Sequence, residues 1–473
     1  MRKGGRIECL SALTAKKTKR IVGLVSSAMN GHGMFLAKKK RRVCSSYASG
    51  LFEIDNTVSK LLQLNGSTVE SIKEALKIDL TEDKSIELLT DMENEKLLCR
   101  NEVSHDESQE IEKANFSALT LMLAQECNMR CSYCYGEGGE YNNKGIMTEN
   151  VAFQAIDYLV KNSTDELLHI AFLGGEPLLN FPLLKKVVEY CKQISADTGK
   201  KFSYTITTNG TLITDNIEKY LTENKIVCQI SLDGTKEKND MNRFFRNKKG
   251  SYDVIVEKTK SMRHMNLVTA RATVTPDNSD YKEIFNHLNE LEFRAIPIAI
   301  AQNMVDDEQF DKILSEYINY IFYFEELILT KQYAKAKKMT DLVNALEKIE
   351  FGNVRNNGCG AGRTMFAVDI DGTLYPCHRF VGERKFALGN IWTGSDNSKF
   401  LKMINVRNRD KCSKCWAQNL CLGCCPHENY TNTNNINLAS ERSCRMAKTI
   451  YEKLISVYIK MSDEDKKMMW PED

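Results

Sequence analysis

The chain contains no apolar run approaching the roughly 20 residues that a membrane-crossing helix needs, so it does not read as an integral membrane protein. It also lacks an excess of either charge, with 65 Lys and Arg against 63 Asp and Glu. The net charge is only +2 over 473 residues, so the global basic footprint of a nucleic-acid-binding protein is missing. No repeat recurs at a fixed period. No small-residue cleavage site follows the mildly apolar stretch 21–36; the basic run Lys38 to Arg42 follows instead, which argues against a signal peptide. Hydrophobic residues make up 42% and charged residues 27%, an ordinary globular composition that excludes a wholly disordered chain. The length suggests two to four domains.

Cysteine is what the sequence has in abundance, with sixteen. A secreted disulfide scaffold would be a short chain, and this one is long. Most of the cysteines sit in tight clusters with short spacings, which points to metal or cluster ligation in a reducing cytoplasm. Thiolate ligands select zinc, copper(I) or iron–sulfur clusters.

Residues 1–42 carry twelve Lys and Arg against one Glu, net +11, leaving −9 for the rest. Residues 1–33 read as a disordered basic extension, with a nucleic-acid or membrane-surface arm as the sharper alternative. Residues 34–103 read as a small unit. Two strands are expected at Phe35–Ser45 and Gly50–Ile54, then helices beginning near Asp55, Ser67 and Asp83. That order resembles a winged helix-turn-helix, although its second helix carries little Arg or Lys for DNA. A polar stretch from Arg100 to Ala114 reads as a linker.

From Phe116 the pattern alternates strand and helix. Strands are predicted at 117–123, 168–173, 202–207, 227–232, 269–274 and 295–300. Helices are predicted near 148–162, 181–197, 215–224, 252–265 and 279–292. This is an α/β architecture with parallel strands, either a partial (β/α)6 TIM-like barrel or a doubly wound sheet. In both, the active site lies at the carboxyl ends of the strands. The expected units are a core at 115–306, a helical connector at 307–357 read as packing, a Cys-rich unit at 358–450, and a C-terminal helix and tail at 451–473. The Cys-rich unit is expected to build little core of its own and to be held by its metal sites.

The loop after the first of these strands places Cys127, Cys131 and Cys134 at C-x3-C-x2-C. Three thiolates in one short loop can hold three irons of a cubane and leave the fourth open to a ligand. A C-x2-C alone could be a zinc or redox pair; the third cysteine, directly after a strand, makes both less fitting. With Tyr133 as the aromatic, the loop resembles the C-x3-C-x-aromatic-C signature of the radical S-adenosylmethionine (SAM) family. Gly174-Gly175-Glu176-Pro177 after the second strand resembles that family's GGEP motif, where glycine permits close backbone approach. Thr207-Thr208-Asn209-Gly210 and Ser231-Leu232-Asp233-Gly234 end the third and fourth strands, as in relatives. The resemblance implies SAM contacts from Tyr133, Gly174, Gly175, Glu176, Asn209 and Ser231, with Asp233 beside Ser231. Arg243 falls where relatives place an arginine on the SAM carboxylate, a role suited to a guanidinium. Surface or capping residues are the alternative for Ser231, Asp233 and Arg243.

The C-terminal third has Cys359, twelve residues, Gly372, four residues, Cys377, then Cys412-x2-Cys415-x5-Cys421-x3-Cys425 and Cys444. Every spacing matches the seven-cysteine SPASM extension. The resemblance implies one auxiliary [4Fe–4S] cluster on Cys359, Cys377 and Cys425, and a second on Cys412, Cys415, Cys421 and Cys444. With the SAM cluster, the total is three. Some relatives have a further cysteine soon after the first; Gly360 to Val368 contains none. That leaves room for an open iron able to take a substrate thiolate. Cys424, beside Cys425, is the alternative ligand. Cys191 and Cys228 read as buried small hydrophobes.

The resemblance is to SPASM-type radical SAM maturases of ribosomal peptides, of the thioether-forming sactipeptide and ranthipeptide kind. It implies that a 5′-deoxyadenosyl radical abstracts hydrogen from carbon, and that a Cys sulfur is then joined to that carbon in a Cys-rich precursor peptide. Residues 34–103 resemble a module that captures the leader peptide by strand addition. An electron donor such as flavodoxin or ferredoxin is implied, and no nucleic acid or membrane partner. The alternatives are an anaerobic sulfatase maturase that makes formylglycine, a carbon–carbon crosslinking maturase, and a zinc-holding DNA-binding module. No general base stands out.

Overall fold

The structure is a computed structural model that describes residues 114–352 and 357–471, residue 414 excepted, and three short strands before them. Those strands are β1 (Met34–Phe35), β2 (Arg42–Ser45) and β3 (Gly50–Glu53), paired antiparallel in that order. The two strands expected here are thus three. The extension 1–33, the helices expected between 55 and 103, and with them the winged-helix reading, lie outside the described residues.

The core sheet is built on β4 (Ala118–Gln125), β6 (Leu167–Gly174), β7 (Lys201–Thr208), β8 (Val227–Ser231), β9 (Val268–Val274) and β10 (Ile298–Ile300). All six run parallel, in the order β10-β9-β8-β7-β6-β4. Each matches one of the strands predicted from sequence. β4 reads ALTLMLAQ and is buried almost throughout, as a strand covered on both faces must be. The short strand β5 (Gly145–Ile146) pairs antiparallel with its carboxyl end. Helices Glu149–Lys161, Phe181–Thr198, Asp215–Glu223 and Tyr281–Glu290 form the crossovers. Three of them start where sequence rules place caps: Thr148, Thr214 and Asp280 each accept a backbone N–H of the first turn. The single helix predicted over 252–265 is instead two, Tyr252–Lys258 and Lys260–His264. They break at Thr259, whose hydroxyl donates back to the Ile255 carbonyl.

The Cys-rich segment requires a correction. It does bury a core, and that core is shared with the parallel sheet. Strand β11 (Met365–Val368) adds parallel to the free edge of β4, with Met365 opposite Ala118. β12 (Thr373–Tyr375), β13 (Gly389–Asn390) and β14 (Gly394–Ser395) continue antiparallel. Phe366, Val368, Leu374, Tyr375 and Phe380 are buried in the same apolar cluster as Leu119, Leu121 and Phe116. The segment's average composition hides these short apolar runs.

Helices Asp307–Leu329 and Thr340–Phe351 pack against Glu441–Lys460. Their apolar stripes, including Phe310, Tyr320, Phe324 and Leu346, are core, as read from sequence. A last helix, Asp463–Met469, is tied back by Asp465, which accepts from Lys331 Nζ at 2.6 Å, Tyr333 Oη at 2.6 Å and Ser462 Oγ at 2.7 Å. These donors hold the Asp465 carboxyl below its usual range. Its contribution is therefore complete above the unfolded value near about 4 and is lost as pH falls through the depressed folded value. Asp465→Ala is expected to cost about 2–3 kcal/mol near neutrality. It should also flatten the acid limb of the melting temperature. An unchanged acid limb would count against this role. Among the described residues, no helix is long and apolar enough to cross a membrane.

Candidate active site

The parallel strands β4, β6, β7 and β8 bring their carboxyl ends to one edge of the sheet, and the motifs predicted after each of them lie there. The loop leaving β4 carries Cys127, Cys131 and Cys134, which lie within electrostatic reach of one another. Two backbone contacts fasten the end of β6 to this loop: Gly175 N donates to Ala124 O at 2.7 Å, and Glu176 N to Glu126 O at 2.8 Å. Both glycines are needed for that approach. A Cβ on Gly174, which sits at φ +142°, would lie 2.2 Å from the Ala124 carbonyl oxygen, and one on Gly175 would lie 2.3 Å from that of Glu126. Glu176 is fully buried. Its carboxylate accepts from Leu178 N, Thr208 Oγ1 (2.7 Å) and Asn209 N (2.8 Å), which locks the ends of β6 and β7 together. Burial raises its pKa, and these three donors oppose that.

Asn209 turns its amide toward the cysteine loop. Its Nδ2 donates to Asn128 Oδ1 at 2.8 Å and lies 3.8 Å from Cys127 Sγ. Across the site, Tyr133, Asp233 and Arg243 form a buried chain. Arg243 Nη1 donates to Tyr133 Oη at 2.8 Å, and Tyr133 Oη donates to Asp233 Oδ2 at 2.5 Å. Asp233 Oδ1 accepts from Thr273 N at 2.9 Å. Arg243 ends the helix Lys236–Asn242 and stands within electrostatic reach of Cys131 and Glu176. Its Nε is buried without a hydrogen-bond partner, which suits a guanidinium with an anion still to meet. Ser231 ends β8 opposite Arg271. The surface-residue alternative for Asp233 and Arg243 is thereby removed, since both are buried.

The C-terminal thiols fall into two neighbourhoods. Cys377 faces Cys359 and Cys425. Cys444 faces Cys421, Cys412 and Cys415. Cys424 belongs with the second group: its Sγ is 3.5 Å from Cys421 Sγ, and it also faces Cys444. Among the described residues, no three Cys, His, Asp or Glu side chains converge closely enough for one metal ion. A cluster of several irons takes its thiolates from a wider perimeter than a single ion does. Burial pushes the thiol of Cys127 up to about 11 and that of Cys377 to about 12. A donor set made of thiols alone is the chemistry that iron–sulfur clusters take.

Some residues at this junction carry no signal of their own in the sequence. Tyr135 follows Cys134, and His378 and Arg379 follow Cys377. In the fold, the Tyr135 ring lies 6.4 Å from the His378 ring and 5.5 Å from the Arg379 guanidinium. Removal from water and the nearby Arg379, Arg271 and His427 lower His378 to about 4, so it is neutral at physiological pH. Each stands within two residues of a cysteine of the two motifs.

Residues 122–291 match the model of the radical SAM superfamily, and residues 359–416 match SPASM, an iron–sulfur cluster-binding domain. An uncharacterized protein of Methanocaldococcus jannaschii is 33% identical over 44% of this chain and 74% of its own length. The chain belongs to the radical SAM superfamily. As a radical SAM enzyme with a SPASM domain, it uses SAM and [4Fe–4S] clusters. A cysteine-type anaerobic sulfatase-maturating enzyme of Clostridium novyi is 26% identical over 72% of this enzyme and 96% of its own length. Among solved structures, native anSMEcpe with bound AdoMet and Cp18Cys peptide superposes with a TM-score of 0.62 at 22% identity, over 73% of this chain and all of the other. That match supports the fold.

Proposed function

We propose that this radical SAM enzyme joins a cysteine sulfur to a carbon in a ribosomally made, Cys-rich peptide. The observation that carries the reading is the neighbourhood of Cys359, Cys377 and Cys425: three thiols, with no cysteine from Gly360 to Val368 to complete a fourth. A cluster held there keeps one iron for a substrate thiolate. The overall change replaces one C–H and one S–H bond by a C–S bond. A hydrogen atom leaves carbon, a proton leaves sulfur, and one electron has to be taken away. When bound, the SAM cluster and SAM supply the hydrogen-abstracting radical, and the auxiliary clusters supply a destination for the electron.

The chain's own groups then take these roles. Cys127, Cys131 and Cys134 hold the SAM cluster. Arg243 pairs with the SAM carboxylate, and Tyr133 and Asp233 orient it. Gly174 and Gly175 bring backbone close to SAM, while Glu176 fixes the loop geometry. Asn209 and Ser231 line the same pocket. Cys359, Cys377 and Cys425 hold the first auxiliary cluster; Cys412, Cys415, Cys421 and Cys444 hold the second. Cys424 stands with the second group, which supports Cys425 as the ligand in the first. A flavodoxin or ferredoxin supplies the reducing electron, and residues 34–103 hold the leader.

Mass spectrometry of a Cys-rich peptide after anaerobic turnover tests this. A thioether appears as loss of two hydrogens together with one thiol that no longer alkylates. A carbon–carbon crosslink loses two hydrogens and keeps every thiol. Loss of sulfur with a new aldehyde would indicate formylglycine, the second reading, which the similarity to the Clostridium novyi enzyme over 96% of its length favours. Deletion of residues 34–103 is expected to preserve peptide-independent SAM cleavage and to cut modification of a leader-bearing peptide at least tenfold. Unchanged peptide turnover in the deletion variant would assign that module another task.

A further inference from the structure

Arg379 is the side chain that links the two thiol loops. It follows Cys377 by two positions. Its Nη1 donates to Cys425 Sγ at 3.6 Å and to Glu428 Oε1 at 2.7 Å. Its guanidinium also lies over the ring of Tyr135, the residue after Cys134. The pair with Glu428 is largely withdrawn from solvent, with side-chain exposures of 28% and 26%. Screening of this charge at Cys425 is therefore weak. Cys425 is also the residue at which the helix Pro426–Thr433 begins.

We propose that Arg379, opposed by Glu428, raises the reduction potential of the auxiliary cluster held by Cys359, Cys377 and Cys425, and so makes it an electron acceptor. The inference rests on the reading that those thiols hold a cluster. A fixed positive charge stabilises the more negative, reduced form. Hydrogen bonds to ligating sulfur act in the same direction, and net charge and such hydrogen bonds are recognised determinants of these potentials. Arg379 is a positioning residue: it acts on the cluster through Cys425 and touches no reacting atom. Glu428 acts with opposite sign. The contact with Tyr135 places this charge beside the SAM-cluster loop as well as the auxiliary site.

The test uses full-length protein, reconstituted anaerobically and titrated with dithionite while EPR follows each cluster. Arg379→Gln is expected to lower one midpoint by at least a tenfold change in its reduction equilibrium, about 59 mV for one electron. Glu428→Gln is expected to raise the same midpoint, and Arg379→Lys to stay nearer to wild type than Arg379→Gln. The other two midpoints and the iron content should hold. An unmoved midpoint in Arg379→Gln overturns the proposal. So does loss of about four irons from that variant, which would make Arg379 a requirement for assembly. The underlying reading is tested separately by Cys359→Ala and Cys377→Ala. If neither loses iron, these thiols hold no cluster, and the proposal falls with that reading.

Discussion

Cys131→Ala is expected to abolish 5′-deoxyadenosine formation and to remove about four irons per chain. Cys131 is the middle member of the loop that also carries Cys127 and Cys134, and Arg243 and Asp233 both face it. Two remaining thiols cannot hold the three irons that leave one open for SAM. Cys228→Ala is the matched control. Cys228 is fully buried in β8, away from the loops, and should behave as a small hydrophobe. Its loss should cost roughly 1 kcal/mol and leave the iron content unchanged. Retained SAM cleavage in Cys131→Ala would remove the primary assignment.

The second large effect is on stability. Asp233 is 1% exposed and Arg243 6%, and Tyr133 joins them through its hydroxyl. Asp233→Ala leaves Tyr133 Oη and Thr273 N without their acceptor and the buried guanidinium with Glu176 as its remaining nearby carboxylate, and is expected to cost about 3–5 kcal/mol. Tyr133→Phe removes only the bridging hydroxyl and should cost about 1–3 kcal/mol. Combining Asp233→Ala with Arg243→Met removes the stranded charge and should recover part of the loss, since the three groups act as one unit. Denaturant unfolding of the three variants, each beside wild type, measures this. If Asp233→Ala stays within about 1 kcal/mol of wild type, the chain is not the structural element described here.

Much of this was legible in the sequence, for identifiable reasons. β4 is covered on both faces and reads as a short apolar run, whereas β6 and β8 alternate buried with half-buried residues, and both patterns are visible in the sequence. The cysteine spacings were legible because a cluster restricts how far apart its ligands can lie along a loop. The helices Glu149–Lys161, Asp215–Glu223 and Tyr281–Glu290 were legible from their apolar periodicity, and the structure adds their caps at Thr148, Thr214 and Asp280. Other features have no local signature. β11 was hidden because MFAV sits in a Gly-rich segment whose average composition argued against a core. The meeting of Tyr135 with Arg379 spans more than two hundred residues, and nothing in either stretch encodes the other. Glu176 was singled out for the ligand it would hold, yet its visible partners are Leu178, Thr208 and Asn209. The break at Thr259 depends on one hydroxyl, which apolar periodicity does not register.

The most direct measurement is iron and acid-labile sulfide per chain after anaerobic reconstitution, with zinc determined on the same sample. The ten thiols proposed as ligands, Cys424 not among them, predict about twelve irons, matching sulfide and no zinc. About four irons with stoichiometric zinc would contradict the account, because the C-terminal thiols would then be structural, with neither a thiolate-binding iron nor an exit for the electron.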